Sequence, residues 1–256
     1  MFDSFLITVE SLGSWQILAV WMTLIFAALI RAFTGFGFAL AAMPVLSLFL
    51  IPTDAVVLIA SLALMVSVLT LRQYWGVAPL KPIVPLVVFS LLGTVVGAFT
   101  LKTLSVSAFQ LWIGLAVIAA CGVLRFFHPK PRQAGFLPRV LTGLVSGLMN
   151  GAFSIPGPPM IIFAMATEED AARSRSLLMV FFLFSSILGL ASYIALGYTN
   201  QRSVNLFLLA APAMLAGDFI GHRLFARFGA QMYRTIALIV LFAAGVTTTV
   251  KAALGT

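Results

Sequence analysis

Long apolar stretches separated by short polar ones dominate the chain. Six of them carry few charges and are long enough to cross a bilayer: residues 55–71, 82–101, 106–124, 176–196, 203–220 and 235–250. They are apolar all round and do not alternate, which predicts helices and argues against a β-barrel. Two further regions do not fit a single span. Residues 17–51 would make a helix of about 52 Å, against a hydrocarbon core of about 30 Å. That stretch is interrupted by Arg31 and by Thr34-Gly35-Phe36-Gly37. Residues 137–166 are interrupted by Asn150-Gly151 and by Ser154-Ile155-Pro156-Gly157-Pro158-Pro159. Both regions read as broken helices or re-entrant hairpins.

The two irregular regions repeat along the chain. A slide of 115 positions puts Phe38 on Phe153, Pro44 on Pro159 and Leu46 on Ile161. A slide of 119 puts Ser67 on Ser186, Leu69 on Leu188, Leu71 on Leu190 and Tyr74 on Tyr193. A slide of 124 puts Gly93 and Gly97 on Gly217 and Gly221. The same order of features in both halves predicts one transmembrane domain, 1–256, built of repeats 1–125 and 126–256.

Composition removes the soluble classes. The chain is 62% hydrophobic and 9% charged, with a mean hydropathy of +1.13, where soluble domains carry about 25% charge. The net charge of +8 would suggest nucleic acid in a soluble protein. Here most Lys and Arg sit in short loops and report topology instead. If each broken region crosses once, the two faces receive similar numbers of cations. If each counts as two segments, Arg31, Arg72, Lys81, Arg125, Lys130, Arg132, Arg139, Arg173, Arg175, Arg223, Arg227 and Arg234 share one face. Only Lys102, Arg202 and Lys251 then remain opposite. That split predicts five plus five segments with the second half inverted. Each repeat is a broken or re-entrant helix pair followed by three transmembrane helices. The protein is thus an all-α polytopic membrane protein with both termini in the periplasm. The N-terminus has Asp3 and Glu10 and no cation, the wrong charge for a signal peptide. The lone Cys121 rules out an internal disulfide.

Inverted repeats with paired broken helices point to a secondary transporter. Irregular backbone at membrane depth needs protein or a water-filled cavity to satisfy it. A half-helix beginning there aims unpaired N–H groups and a positive dipole end into that cavity, which favours an anion. The expected substrate-binding residues are Arg31, Thr34, Gly35, Phe36, Gly37, Phe38, Asn150, Gly151, Ser154, Ile155 and Pro156. Arg31 can grip oxyanion oxygens with its planar fork, or it can serve as a topology anchor. Thr34, Asn150 and Ser154 can donate hydrogen bonds, although Thr and Ser also back-bond to their own helix. The glycines at 35, 37 and 151 allow close approach of a ligand. Asp218 is the one acid inside an apolar span; Asp54 and the 168–170 run read as loop residues. Asp218 and His222, one turn apart, are the expected proton-coupling pair, unless Asp218 only pairs with an arginine. Gly93, Gly97, Gly143, Gly147, Gly217 and Gly221 read as helix contacts. Trp15, Tyr74, Trp75 and Tyr198 read as interface anchors.

The Gly35-Phe36-Gly37-Phe38…Pro44 segment, its echo from Asn150 to Pro159, and the glycine-rich third span of each half resemble the TauE/SafE sulfite exporter family. The resemblance covers nearly the whole chain. It implies a bacterial inner-membrane carrier, an exporter by preference, for sulfite, sulfonates or related small organic acids, driven by an ion gradient such as H⁺. An anion channel is the nearest alternative. An intramembrane enzyme is more distant, because Ser146, Ser154 and His222 fall in no Gly-x-Ser-x-Gly or His-Glu-x-x-His pattern. No metal, cofactor or nucleic acid is expected. The partners are the small anion, membrane lipid and, as an open option, a second copy of the chain in a homodimer.

Overall fold

The structure is a computed structural model that describes residues 13–77, 81–127, 129, 134–228 and 231–254, excluding the side chains at 171 and 225–237. Asp3, Glu10, Lys130 and Arg132, with the side chains of Arg227 and Arg234, lie outside the described residues.

Every regular element among the described residues is a helix. The first half holds α1 (Ser14–Thr34), α2 (Phe38–Leu46), α3 (Pro52–Leu69), α4 (Leu71–Tyr74), α5 (Ile83–Leu101) and α6 (Val106–Phe126). The second holds α7 (Phe136–Phe153), α8 (Gly157–Thr167), α9 (Ala171–Ala195), α10 (Gln201–Phe228) and α11 (Gln231–Leu254). By length and composition, α1, α3, α5, α6, α9 and α10 can each cross a membrane. Local chemistry sets several ends. Pro52 opens α3, Ser105 Oγ accepts from Ala108 N at 3.1 Å to start α6, and an Asp170 carboxylate oxygen accepts from Arg173 N at 2.8 Å to start α9.

The two breaks fall between a long helix and a short one. Gly35 ends α1 in the left-handed region (φ 79°), its amide donating to Arg31 O at 2.7 Å, and Gly37 (φ 90°) opens α2. In the second half Ser154 takes the same left-handed turn (φ 54°), its amide donating to Asn150 O at 2.7 Å, before α8 begins at Gly157. A serine there is a backbone outlier that the surroundings must hold in place.

The halves interlock. α1 lies parallel to α10: Trp21 Nε1 donates to Leu209 O at 3.1 Å, Gly217 meets Ile25 and Ala28, and Gly221 meets Leu29 and Ala32. α7 lies parallel to α5, with Gly143, Gly147 and Gly151 against Leu86, Ser90 and Thr94. A Cβ on Gly147 or Gly151 would collide with the carbonyl oxygen it faces, so these backbones pack closer than any larger residue allows. Thus the first helix of each half packs on the fourth span of the other. Tyr198 Oη donates to Ala98 O at 2.8 Å, which sets the end of α5 beside the start of α10. The two parallel pairs therefore run in opposite directions. α3 is antiparallel to α9, with Ser176 Oγ donating to Tyr74 O at 2.7 Å. α6 is antiparallel to α11, where Gly114 meets Gly245 and Thr249 while Cys121 lies beside Leu238.

This geometry corrects three expectations. The breaks superpose at an offset of 119, Gly35 on Ser154, and not at 115. Phe38 begins α2, whereas Phe153 ends α7; apolar identities misled the slide. Tyr74 and Tyr198 are buried, donating to Ser67 O and Ala98 O, while Trp15 and Trp75 are exposed. Asp54 is not a loop residue. It sits buried in the first turn of α3, 3.0 Å from Arg202 Nε at the start of α10.

Candidate functional site

The two breaks meet at one cavity of about 60 Å³, roomy enough for a few waters or one small oxyanion. Gly35, Phe36, Gly37, Phe38 and Arg31 line it from the first half, and Asn150, Ser154, Ile155 and Pro156 from the second. Nine of the eleven expected binding residues therefore share one wall. The other two do not. Thr34 Oγ1 lies 2.8 Å from Ile30 O and also touches Phe36 O, so it caps its own helix. It faces a neighbouring cavity. Gly151 packs against the Thr94 carbonyl and does not line the cavity.

Arg31 is 7% exposed, too buried for a topology anchor. Its Nη1 donates to Asp218 Oδ1 at 3.0 Å and its Nη2 to Thr70 Oγ1 at 2.9 Å. Val66 O lies 3.5 Å from Nη2. The expected coupling residues thus stand behind Arg31 and do not line the cavity. His222 Nδ1 is 3.5 Å from Asp218 Oδ2, and His222 Nε2 is 3.3 Å from Gln73 Oε1. Asp218 pairs with Arg31, the second of the two readings raised for it, while the nearer contact of His222 Nδ1 is the Asp218 backbone oxygen at 2.8 Å.

At the equivalent place, 119 positions on, Asn150 Nδ2 donates to Thr94 Oγ1 at 3.3 Å and to Ser185 O at 2.8 Å. Ser185 lies 119 after Val66 and Asp218 lies 124 after Thr94. The two side chains therefore hold matched partners, charged in one half and neutral in the other. Tyr193 Oη donates to Asn150 O at 2.7 Å and fixes that turn.

The donor supply is also uneven. The first N–H groups of α2, at Phe38, Ala39 and Leu40, have no intrahelical acceptor, and all three residues line the cavity. α8 offers far less, because Pro158 and Pro159 carry no N–H. Of the two helix ends expected to converge here, the start of α2 is therefore the donor-rich one.

Sequence reasoning missed Ser67 and Ser186, which line the cavity from α3 and α9. Their match at offset 119 was the available signal. Tyr74 Oη holds Ser67 O at 2.6 Å, and burial pushes that phenol up to about 12, so it stays a neutral donor. Arg175 was also missed. It donates from Nη2 to Ala32 O at 3.1 Å, and its stem lies against Gly35. It lines a second cavity of about 390 Å³, otherwise mostly apolar, that shares Phe36, Gly37 and Leu40 with the first.

Residues 20–248 match the family model described as sulfite exporter TauE/SafE. The chain belongs to that family. It is also 28% identical, over 83% of its length and 85% of the relative's, to a protein of Cupriavidus necator named probable sulfite/organosulfonate exporter TauE. No solved structure matches the chain significantly. As a TauE/SafE member the protein is a multi-pass membrane transporter and not an enzyme.

Proposed function

We propose that the chain is a secondary transporter, an exporter by preference, for a small oxyanion of the sulfite or sulfonate class. The anion binds in the cavity between the two breaks, against Arg31 and the N–H groups that open α2. Asn150 and Ser154 complete the wall from the other half. One observation carries this reading: the two irregular segments converge on a single buried space whose donors and charge suit an anion. The sulfite and organosulfonate named for the Cupriavidus relative agree in chemistry.

Alternating access by rocking of one half against the other is the second part of the proposal. Reciprocal parallel pairs, with like helices antiparallel across the centre, are what repeats inverted about an axis in the membrane plane require. The larger cavity lies where Arg175 and Ser174 begin α9 and Leu124 ends α6, beside the basic loops assigned to the cytoplasm. The geometry therefore suits an inward-facing state. At the opposite end Asp54 and Arg202 join the two halves, with Lys102 over the Tyr198 ring at 5.5 Å. On this assignment the protein sits in a bacterial inner membrane with both termini in the periplasm, and Asp218 with His222 handles the coupling proton.

A thermal-shift and binding screen of purified protein with sulfite, sulfonates and carboxylates tests the site. Sulfonates should stabilise the wild type. Asn150→Leu or Ser154→Leu should abolish binding in monodisperse protein, and Arg31→Gln should weaken it by about 1–3 kcal/mol. Wild-type affinity in all three variants would place the site elsewhere. Counterflow of preloaded labelled anion separates a carrier from a channel.

A further inference from the structure

We infer that the anion carries an apolar tail, which fills the larger cavity while the charged head sits between the breaks. The inference rests on the cavity reading above and deepens it by naming a substrate class. That class is the monovalent organosulfonates with a hydrocarbon chain or ring, in preference to sulfite. The smaller cavity, at about 60 Å³, has room for an oxyanion head and little else. The larger, at about 390 Å³, adjoins it, because Phe36, Gly37 and Leu40 line both. A mostly apolar cavity of that size with a few polar groups is the usual form of a small-ligand site.

Two features of the walls set this chemistry. Leu124, Ile161, Met165, Leu178, Leu238 and Leu241 line the larger cavity from α6, α8, α9 and α11. Its polar residues are Thr34, Ser174 and Arg175. Thr34 Oγ1 stays on its own helix, 2.8 Å from Ile30 O, and Arg175 gives Nη2 to Ala32 O. A hydrated inorganic anion filling this space would set its water shell against hydrocarbon, which offers it no partners. An alkyl or aryl tail gains there instead, because it leaves water. The second feature is charge. Arg175 lays its Cγ, Cδ and Nε against Gly35, a wall residue of the smaller cavity. Arg31 and Arg175 therefore both stand at the head end. Asp218 pairs with Arg31 and lies within electrostatic range of Arg175. Two guanidiniums and one carboxylate leave one net positive charge, which the single charge of a sulfonate balances.

Methane-, butane- and hexanesulfonate are the probes, with 2-hydroxyethanesulfonate as the polar comparison, titrated calorimetrically into purified protein in detergent. Affinity should rise about three- to fourfold with each added methylene. Hexanesulfonate should therefore bind more than about a hundredfold tighter than methanesulfonate. 2-Hydroxyethanesulfonate should gain nothing over methanesulfonate, because its hydroxyl would be buried without a partner. Met165→Trp and Leu238→Trp each put an indole into the larger cavity from a half-buried position. In either variant hexanesulfonate should bind no better than methanesulfonate does. Arg31→Gln should weaken both by similar factors, since both heads sit in one place. Equal wild-type affinity for the three alkanesulfonates overturns this inference and leaves the cavity reading standing. A chain-length gain that survives both tryptophan variants also overturns it, as partition into the micelle. Hexanesulfonate binding that ignores Arg31→Gln overturns it too, by placing the whole molecule in the larger cavity. No binding of any probe by monodisperse wild type removes the cavity reading and this inference with it.

Discussion

Arg31 and Asn150 occupy the same place in the two halves, one turn before a left-handed residue that ends the first helix. Each reaches the same two positions: the fourth span of the opposite half, at Asp218 or Thr94, and a carbonyl of the third span of its own half, at Val66 or Ser185. The backbone plan is shared, and the chemistry is not. One corner is an ion pair with the donor-rich start of α2 beside it; the other is neutral, and its short helix opens with two prolines. The difference teaches that the matched backbone positions supply placement alone. Charge belongs to the first half's break and the second half's α10, and the proposed anion site lies beside it.

The sharpest test makes the charged corner lose one partner. Arg31→Gln leaves Asp218 without its cation and should cost about 3–5 kcal/mol, read by thermal unfolding in detergent. Adding Asp218→Asn should recover most of that loss, since no buried charge is then stranded. Copying the neutral corner onto the charged one, Arg31→Asn with Asp218→Thr, should give a folded protein that binds methanesulfonate about tenfold more weakly than wild type. If it binds as tightly as wild type, the asymmetry has no role in recognition. Next in size is the packing contrast. Gly151→Ala drives a methyl into the Thr94 carbonyl and should cost about 3 kcal/mol, whereas Gly221→Ala meets the Ala32 methyl and should cost about 1 kcal/mol. Equal costs would mean that the two seams are equally tight. Asn150→Ala removes two hydrogen bonds but no charge, for about 1–3 kcal/mol, less than its arginine counterpart. The smallest effect belongs to Asp54→Asn, under about 1 kcal/mol, because Arg202 is 45% exposed and water takes it over.

The spans and breaks were legible because hydropathy and Gly-Pro punctuation are local properties of the chain. So were the glycine ridges, whose spacing alone marks close contact. The register of the repeat at the breaks was not. Arg31 and Asn150 are unlike residues, so no identity signals that they are counterparts, while Phe and Pro matches arise by chance in apolar sequence. Asp54 reads as a loop acid because Pro52-Thr53-Asp54 looks like a turn; its burial follows from Arg202, almost 150 positions away. Arg175 counts as one more loop cation until α9 is seen to place it on Gly35. Such cross-chain contacts leave no local trace. The helix ends on the cavity were half legible: both starts were visible, but the missing N–H groups of Pro158 and Pro159 change what they offer.

The interlocking of the halves also sets a timetable for making the protein. Arg31 enters the bilayer on α1, and its carboxylate partner follows 187 residues later. At about 5–20 residues per second that interval is about 10–40 s. Through that time an arginine near the end of a membrane helix has no counter-charge, and its long side chain must reach for the nearer headgroups to stay hydrated. The same holds for the bare glycine face of α5, which waits in lipid for α7. Neither half can finish folding before the other is inserted, so a nascent first half is the form of this protein most exposed to membrane quality control.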